Sequence, residues 1–262
     1  MSVLSASVPS PAVSGRRCRR LPSVGPPRSE WTSSDRQILF NRIAPVYDHL
    51  NDLLTVGQHR VWKRMSVSWS GAKKGDSVLD LCCGSGDLAF LLSDKVGPHG
   101  KVTAVDFSKD QLSIASTKQQ LFWKACYQNI EWIEGDALDL PFEDATFDAV
   151  TMGFGLRNLV DRYRAFNEIY RVLKEGSRVS ILDFNKSTDS SVDFLQGWII
   201  DNVVVPAGNA YGLSKEYAYL RSSIAEFLTG KEQEKMAEEV GFSNVRHYEI
   251  AGGLMGNLVA SR

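Results

Sequence analysis

Before Glu30 the chain contains no aspartate or glutamate, while Arg16, Arg17, Arg19, Arg20 and Arg28 stand there unopposed. The same stretch carries serines at 2, 5, 7, 10, 14, 23 and 29, several prolines, and no apolar core, which excludes a secretory signal. An acid-free, Ser- and Arg-rich start of this kind predicts an organellar transit peptide over residues 1–33. Serine and proline dominate it and no amphipathic basic helix is evident, which favours a chloroplast (plastid) address. The arginine cluster keeps a mitochondrial address as the alternative. Cysteine is scarce as well: Cys18, Cys82, Cys83 and Cys126 form no C-x-x-C and no disulfide framework. No run is long enough to span a bilayer; the longest apolar stretch, 197–208, is broken by Asp201, Asn202 and Pro206. Internal repeats are absent, and no cluster of side chains reads as a metal site.

What remains is a chain of 262 residues, 43% hydrophobic, enough for one sizeable α/β core. Without the arginine-rich start, 25 of the 30 basic residues face all 31 acidic ones, a net charge of about −6. That balance argues against nucleic acid as a partner.

Alternation of apolar strands and amphipathic helices from residue 71 onward predicts a mostly parallel sheet. Strands are expected near 77–82, 101–106, 130–134, 147–152 and 178–184, and helices near 87–95, 108–121 and 161–174. Two short runs, 245–250 and 254–260, read as a closing antiparallel hairpin. Helices near 34–43 and 58–69 predict an N-terminal cap over 34–70, ahead of a domain over 71–262. A long segment, 186–231, reads as a helical insertion with helices near 190–204 and 214–228, placed where a substrate lid belongs.

The densest signal is Ser77 to Leu88, an apolar strand running into Gly84-Ser85-Gly86 and then a helix, with the next strand ending on Asp106. Glycines there let backbone approach a ligand, and an acid at that separation accepts from a ribose diol. Two cofactor classes fit: a dinucleotide, or S-adenosylmethionine. Asp80 in the strand and Asp87 at the helix start would repel a pyrophosphate but not a ligand bearing an ammonium and a sulfonium. A third strand ends at Asp136, suited to accept from the exocyclic amine of adenine. With the terminal hairpin, these features favour S-adenosylmethionine and a class I, Rossmann-like methyltransferase fold with a seven-stranded sheet.

Three further segments carry a resemblance. The run Tyr47 to Trp62, the run Phe154-Gly155-Leu156-Arg157-Asn158, and Arg171 to Ser177 continuing to Leu182-Asp183-Phe184 resemble, in order, three motifs of the ubiquinone/menaquinone biosynthesis C-methyltransferases. The chain departs from that pattern at Leu50, Thr55, Cys82-Cys83, Glu175, Ser177 and Asp183, mostly packing and turn positions. The resemblance implies methylation of a ring carbon in a prenylated quinol. With the plastid-type tail, it implies demethylphylloquinol in vitamin K1 synthesis; a benzoquinol of ubiquinone synthesis is the sibling reading, and an NAD(P)-dependent oxidoreductase the reading from another class.

A quinone is too electron-poor to attack a methyl group, so a quinone reductase is expected upstream. The quinol hydroxyl titrates near pH ~10, so a cation, a base and a lid that excludes water are required. The resemblance points to Arg157 as the cation, Asn158 as an orienting amide, and His59 or Asp48 as the base. It also implies that Tyr47 closes over the methionine end of the cofactor. Gly153 is expected beneath that end, Phe107 beside the adenine, and Asp136 with Ala137 at the adenine edge. Aromatic residues in 194–200 and 211–227 are expected to line a groove for the prenyl tail, with peripheral membrane contact through the lid.

Overall fold

The computed structural model describes residues 57–122, 124–210, 212 and 214–262, together with Gln37, Ile38, Asn41, Arg42 and Thr55. The expected tail over 1–33, most of the expected helix 34–43, and the site candidates Tyr47 and Asp48 lie outside the described residues.

Helix α1 (His59–Trp69) leads into strand β1 (Ser77–Leu81), helix α2 (Asp87–Val96), β2 (Lys101–Asp106), α3 (Lys109–Leu121) and β3 (Ile130–Glu134). The chain then crosses to the other side of β1 with β4 (Phe147–Gly153), α4 (Arg162–Val172) and β5 (Leu173–Phe184). Helix α5 (Ser190–Ile199) passes through a π-helical turn, Ile200–Val204, into α6 (Val205–Ala210). After α7 (Ser214–Ala225) and α8 (Gly230–Val240), the hairpin β6 (Ser243–Ile250) and β7 (Met255–Ser261) ends the chain.

The sheet order is β3-β2-β1-β4-β5-β7-β6, with β1 to β5 parallel and β7 antiparallel to both β5 and β6. The order reverses between β1 and β4, and in open α/β sheets that reversal leaves a crevice beyond the strand carboxyl ends. Every functional side chain discussed below lies on or near that crevice.

Side-chain alternation along β1 divides the core. Val78 packs with Val67, Leu88, Leu92, Val102 and Ala149, under α1 and α2. Leu79 and Leu81 join Val150, Met152, Phe166, Ile169, Phe227 and Ala237, under α4 and α8. The helices begin where their caps dictate: Ser108 accepts from the Gln111 N–H and Asp161 from the Arg164 N–H.

Two expectations need correction. The expected fifth strand, 178–184, begins earlier, at Leu173, where it pairs with Phe147 before a register shift. Helix α4 accordingly stops at Val172, short of the expected 174. Arg171 accounts for this, because its guanidinium donates to the Phe142 carbonyl at 2.6 Å and the Leu140 carbonyl at 3.0 Å, tying the helix end to the neighbouring loop. In the insertion, the expected helix 190–204 continues through the π turn to Ala210, and 214–228 ends at Ala225.

Candidate active site at the sheet crevice

The turn after β1 is built from unusual backbone. Cys82 has φ 53°, Gly84 φ 53° and Gly86 φ 91°. A side chain on Gly86 would also strike the Trp132 ring, with Cβ only 2.6 Å from its nearest atom. At the end of β4 a Cβ on Gly153 would come within 2.6 Å of Leu88, and Phe154 beyond it is again left-handed at φ 58°. Non-glycine residues hold such φ values only where surrounding packing over-determines them. The two strained turns face each other across one cleft.

That cleft encloses about 1020 Å³ of empty space, its open mouth included. It brings together Gly84, Ser85, Asp106, Phe107, Asp136, Ala137, Gly153 and Asn158 from the sequence reading. Asp80, Gly86, His59 and Arg157 do not line it. Residues the sequence reading did not assign also line it, among them Lys63, Gln111, Leu159 and Val160. Lys63 had a usable signal, because a lysine four residues after His59 shares its helix face. Nothing local distinguishes Gln111 from an ordinary polar helix residue.

Asp106 sits at the tip of β2, 5% exposed. Its Oδ2 accepts from the Gly84 N–H at 2.8 Å and its Oδ1 from the Ser108 N–H at 2.9 Å. Burial pushes its pKa up, opposed by these donors and by the Phe107 N–H. Asp136 is exposed on the cleft side, with Oδ1 taken by the Leu138 N–H at 2.9 Å.

Of the two acids expected to repel a pyrophosphate, Asp87 opens α2 and lines the cleft as expected, while Asp80 does not line it. Asp80 is fully buried behind the turn and accepts from the Thr151 hydroxyl at 2.7 Å. Burial raises its pKa to about 7, so near neutrality it does not present a full negative charge. Burial also works to raise Asp87, but the Lys63 ammonium at 2.6 Å, helped by Lys118 and His59, holds it below the usual carboxylate range. Cys82 and Cys83 also differ from plain strand fillers, because both line the cleft, their thiols pushed well up by burial.

Arg157 is 5% exposed and sits beneath the cleft floor. Its Nε lies 3.3 Å from Asp183 Oδ1, and its Nη1 donates to Ser223 Oγ and to Asn158 Oδ1, each at 2.9 Å. Asp183 also accepts from the Arg157 backbone N–H at 3.0 Å. Burial raises the Asp183 carboxyl, while the guanidinium opposes that shift. Asn158, which does face the cleft, donates to the Phe154 carbonyl at 2.8 Å and accepts from the Tyr219 hydroxyl at 3.0 Å. His59 is buried on α1, near enough to act on the Asp87 charge. From the helical insertion, Phe194 and Trp198 are 74% and 51% exposed, Phe227 is buried, and none of the three lines the cleft. Tyr211 and the side chains of 214–218, the rest of the expected prenyl groove, lie outside the described residues, and Tyr219 and Ser223 join the insertion to Asn158 and Arg157.

A profile of the ubiE/COQ5 methyltransferase family matches residues 30–261. The chain belongs to that family. Within it, the chain is 69% identical, over 230 residues and 88% of each chain, to the chloroplastic 2-phytyl-1,4-beta-naphthoquinone methyltransferase of Arabidopsis thaliana. It is 49% identical, over 86% of this chain and 97% of the relative, to a 2-phytyl-1,4-naphtoquinone methyltransferase of a Nostoc species. The fold of this family member matches a SAM-dependent methyltransferase from Aquifex aeolicus with TM-score 0.59 at 20% identity, over 81% of this chain and 96% of the other. The cyclase SpnF matches as well, with TM-score 0.59 at 16% identity, over 88% and 97%. Likeness at that level shows the fold alone.

Proposed function

We propose that this protein methylates a ring carbon of a reduced, phytylated naphthoquinone, using S-adenosylmethionine and yielding phylloquinol. The observation that carries the reading is the single cleft that joins the glycine turn, Asp106 and Asp136 to the Phe154–Asn158 turn. The named substrates of the relatives support the head group.

The residues present fit the methyl donor. Gly84 and Gly153 give close backbone approach, and Asp106, locked by backbone donors, is placed to accept from a ribose. Asp136, Ala137 and Phe107 line the same cleft, where the first two would meet the adenine edge and Phe107 would flank it. When bound, S-adenosylmethionine supplies a methyl carbon on a positively charged sulfur. Leu88, Phe154 and Leu159 line the same cleft and would help exclude water from the reacting carbon. Asn158 orients the quinol hydroxyl, its amide fixed by Arg157, Tyr219 and the Phe154 carbonyl. Arg157 acts through Asn158, whose side-chain carbonyl it holds, since its own charge is met by Asp183. For the base the family resemblance leaves Asp48 or His59, and since His59 is buried and does not line the cleft, it would act only through another group.

Only the quinol can attack, so a reductase acting on the quinone must precede this step. The chloroplast name of the Arabidopsis relative and the acid-free start support a plastid address. Phe194, Leu195 and Trp198 stand exposed along α5, which supports peripheral membrane contact by this face. Among the described residues no helix is long and apolar enough to cross a membrane. The test is a methyl-transfer assay with reduced demethylnaphthoquinone, its oxidised form, and a reduced benzoquinone acceptor. Turnover of the reduced naphthoquinone alone is expected. Preference for the benzoquinol, or transfer to the oxidised form, would overturn the reading.

A further inference from the structure

Lys63 is 5% exposed, lines the cleft, and pairs with Asp87 at 2.6 Å. An ammonium has three N–H donors. Among the described residues Asp87 Oδ2 takes one of them, and the Phe154 ring lies 5.8 Å from Nζ. Two donors of a nearly buried cation are left for whatever fills the cleft. Such a charge is costly to bury unless its shell is completed.

The surroundings set the sign of the missing partner. Asp87 also lines the cleft, and its other oxygen has Lys118 at 3.6 Å. Among the described residues the other acid that feels Lys63 is the buried Asp80, whose pKa burial raises to about 7, so Asp87 is the one carboxylate beside Lys63 held ionised near neutrality. Around Asp106 and Asp136 the same cleft is acidic. Its two regions therefore differ in polarity. One suits hydroxyl and amine donors, and the other suits a carboxylate.

We propose that Lys63 receives the α-carboxylate of the methyl donor's amino-acid end, with Asp87 fixing the ammonium's position. This rests on the cofactor reading above and adds to it a residue and a selectivity, for a donor that keeps its carboxylate. The dull version is an ion pair that merely ties α1 to α2. Ligand preference separates the two, because a structural tie cannot distinguish ligands that differ only in that group.

The test is calorimetric titration of the full chain with S-adenosylhomocysteine and with its decarboxylated counterpart, S-adenosyl-3-thiopropylamine. The parent is expected to bind the carboxylate form about ten- to a hundredfold more tightly, the range for hydrogen bonds to charged groups. Lys63→Met should bring the two ligands within about twofold, since the charge-assisted bonds are gone. Because that variant leaves Asp87 without its close partner, the double variant Lys63→Met/Asp87→Asn provides a second, charge-balanced test with the same expectation. A parent without the preference, or either variant retaining it, overturns the assignment. A parent that binds neither ligand fails earlier and takes the cofactor reading with it.

Discussion

Asp80 near the end of β1 and Asp106 at the end of β2 are both buried, yet their surroundings give them different work. Asp106 has three backbone donors and an open cleft, whereas Asp80 has Thr151, the Ala89 N–H and little else. A carboxyl with a folded pKa near 7 against 3.8 unfolded binds its proton more tightly in the folded state. Its contribution to stability is therefore complete below pH 3.8 and is lost as pH rises towards 7. Asp80→Asn should thus gain about 1–3 kcal/mol on the parent between pH 5 and pH 8, read by urea unfolding at both. Equal differences at the two pH values would show that Asp80 titrates normally. Arg157 calls for a related caution in design. Truncating it strands Asp183 in the interior, so lost turnover in Arg157→Ala would report folding as much as chemistry.

Helix α1 reaches the sheet through polar contacts as well as apolar ones. Ser66 shares a hydrogen bond with Ser180 on β5 at 2.9 Å, and Trp69 stacks on Tyr248 of β6 with centroids 4.9 Å apart. The side chains of His59, Lys63 and Ser66 recur at helical spacing, which is why one face of this helix is buried although it is polar. At the other end of the domain, α8 starts on a capping box: Thr229 accepts from the Glu232 N–H, and Glu232 reaches back to the Thr229 N–H. This is the one helix whose first turn is closed reciprocally among those described with caps, and Thr229→Ala should cost about 1 kcal/mol. A denaturation midpoint unchanged in that variant would show that the cap is redundant with packing.

The molecule as a whole places its cleft at one end of its sheet and exposed aromatic residues on α5. A phytyl-tailed substrate partitions into lipid, and the proposed membrane contact would run through Phe194 and Trp198. The affinity for neutral lipid vesicles, read by co-sedimentation, should fall more than about tenfold in Phe194→Ser/Trp198→Ser, because each buried ring contributes on the order of 1 kcal/mol or more. Turnover of a short-chain, water-soluble quinol should be unchanged. Retained vesicle binding would remove α5 from the membrane reading.

Periodicity alone set out the strand and helix sequence, because each parallel strand is an apolar run bounded by turn residues, and each helix repeats its apolar side at 3.6 residues. The glycine turn and Asp106 were equally legible, since backbone approach and a strand-end acid leave a local signature. The early start of β5 was not, because pairing of Leu173 with Phe147 is a contact between segments far apart in the chain. Nor was the division of labour among the acids. Whether Asp87 carries a free charge depends on Lys63, 24 residues away, and whether Arg157 faces a ligand depends on Asp183 and Ser223. Local order follows from local sterics and hydrophobic spacing; charge, burial and exposure follow from which distant side chains the topology brings together.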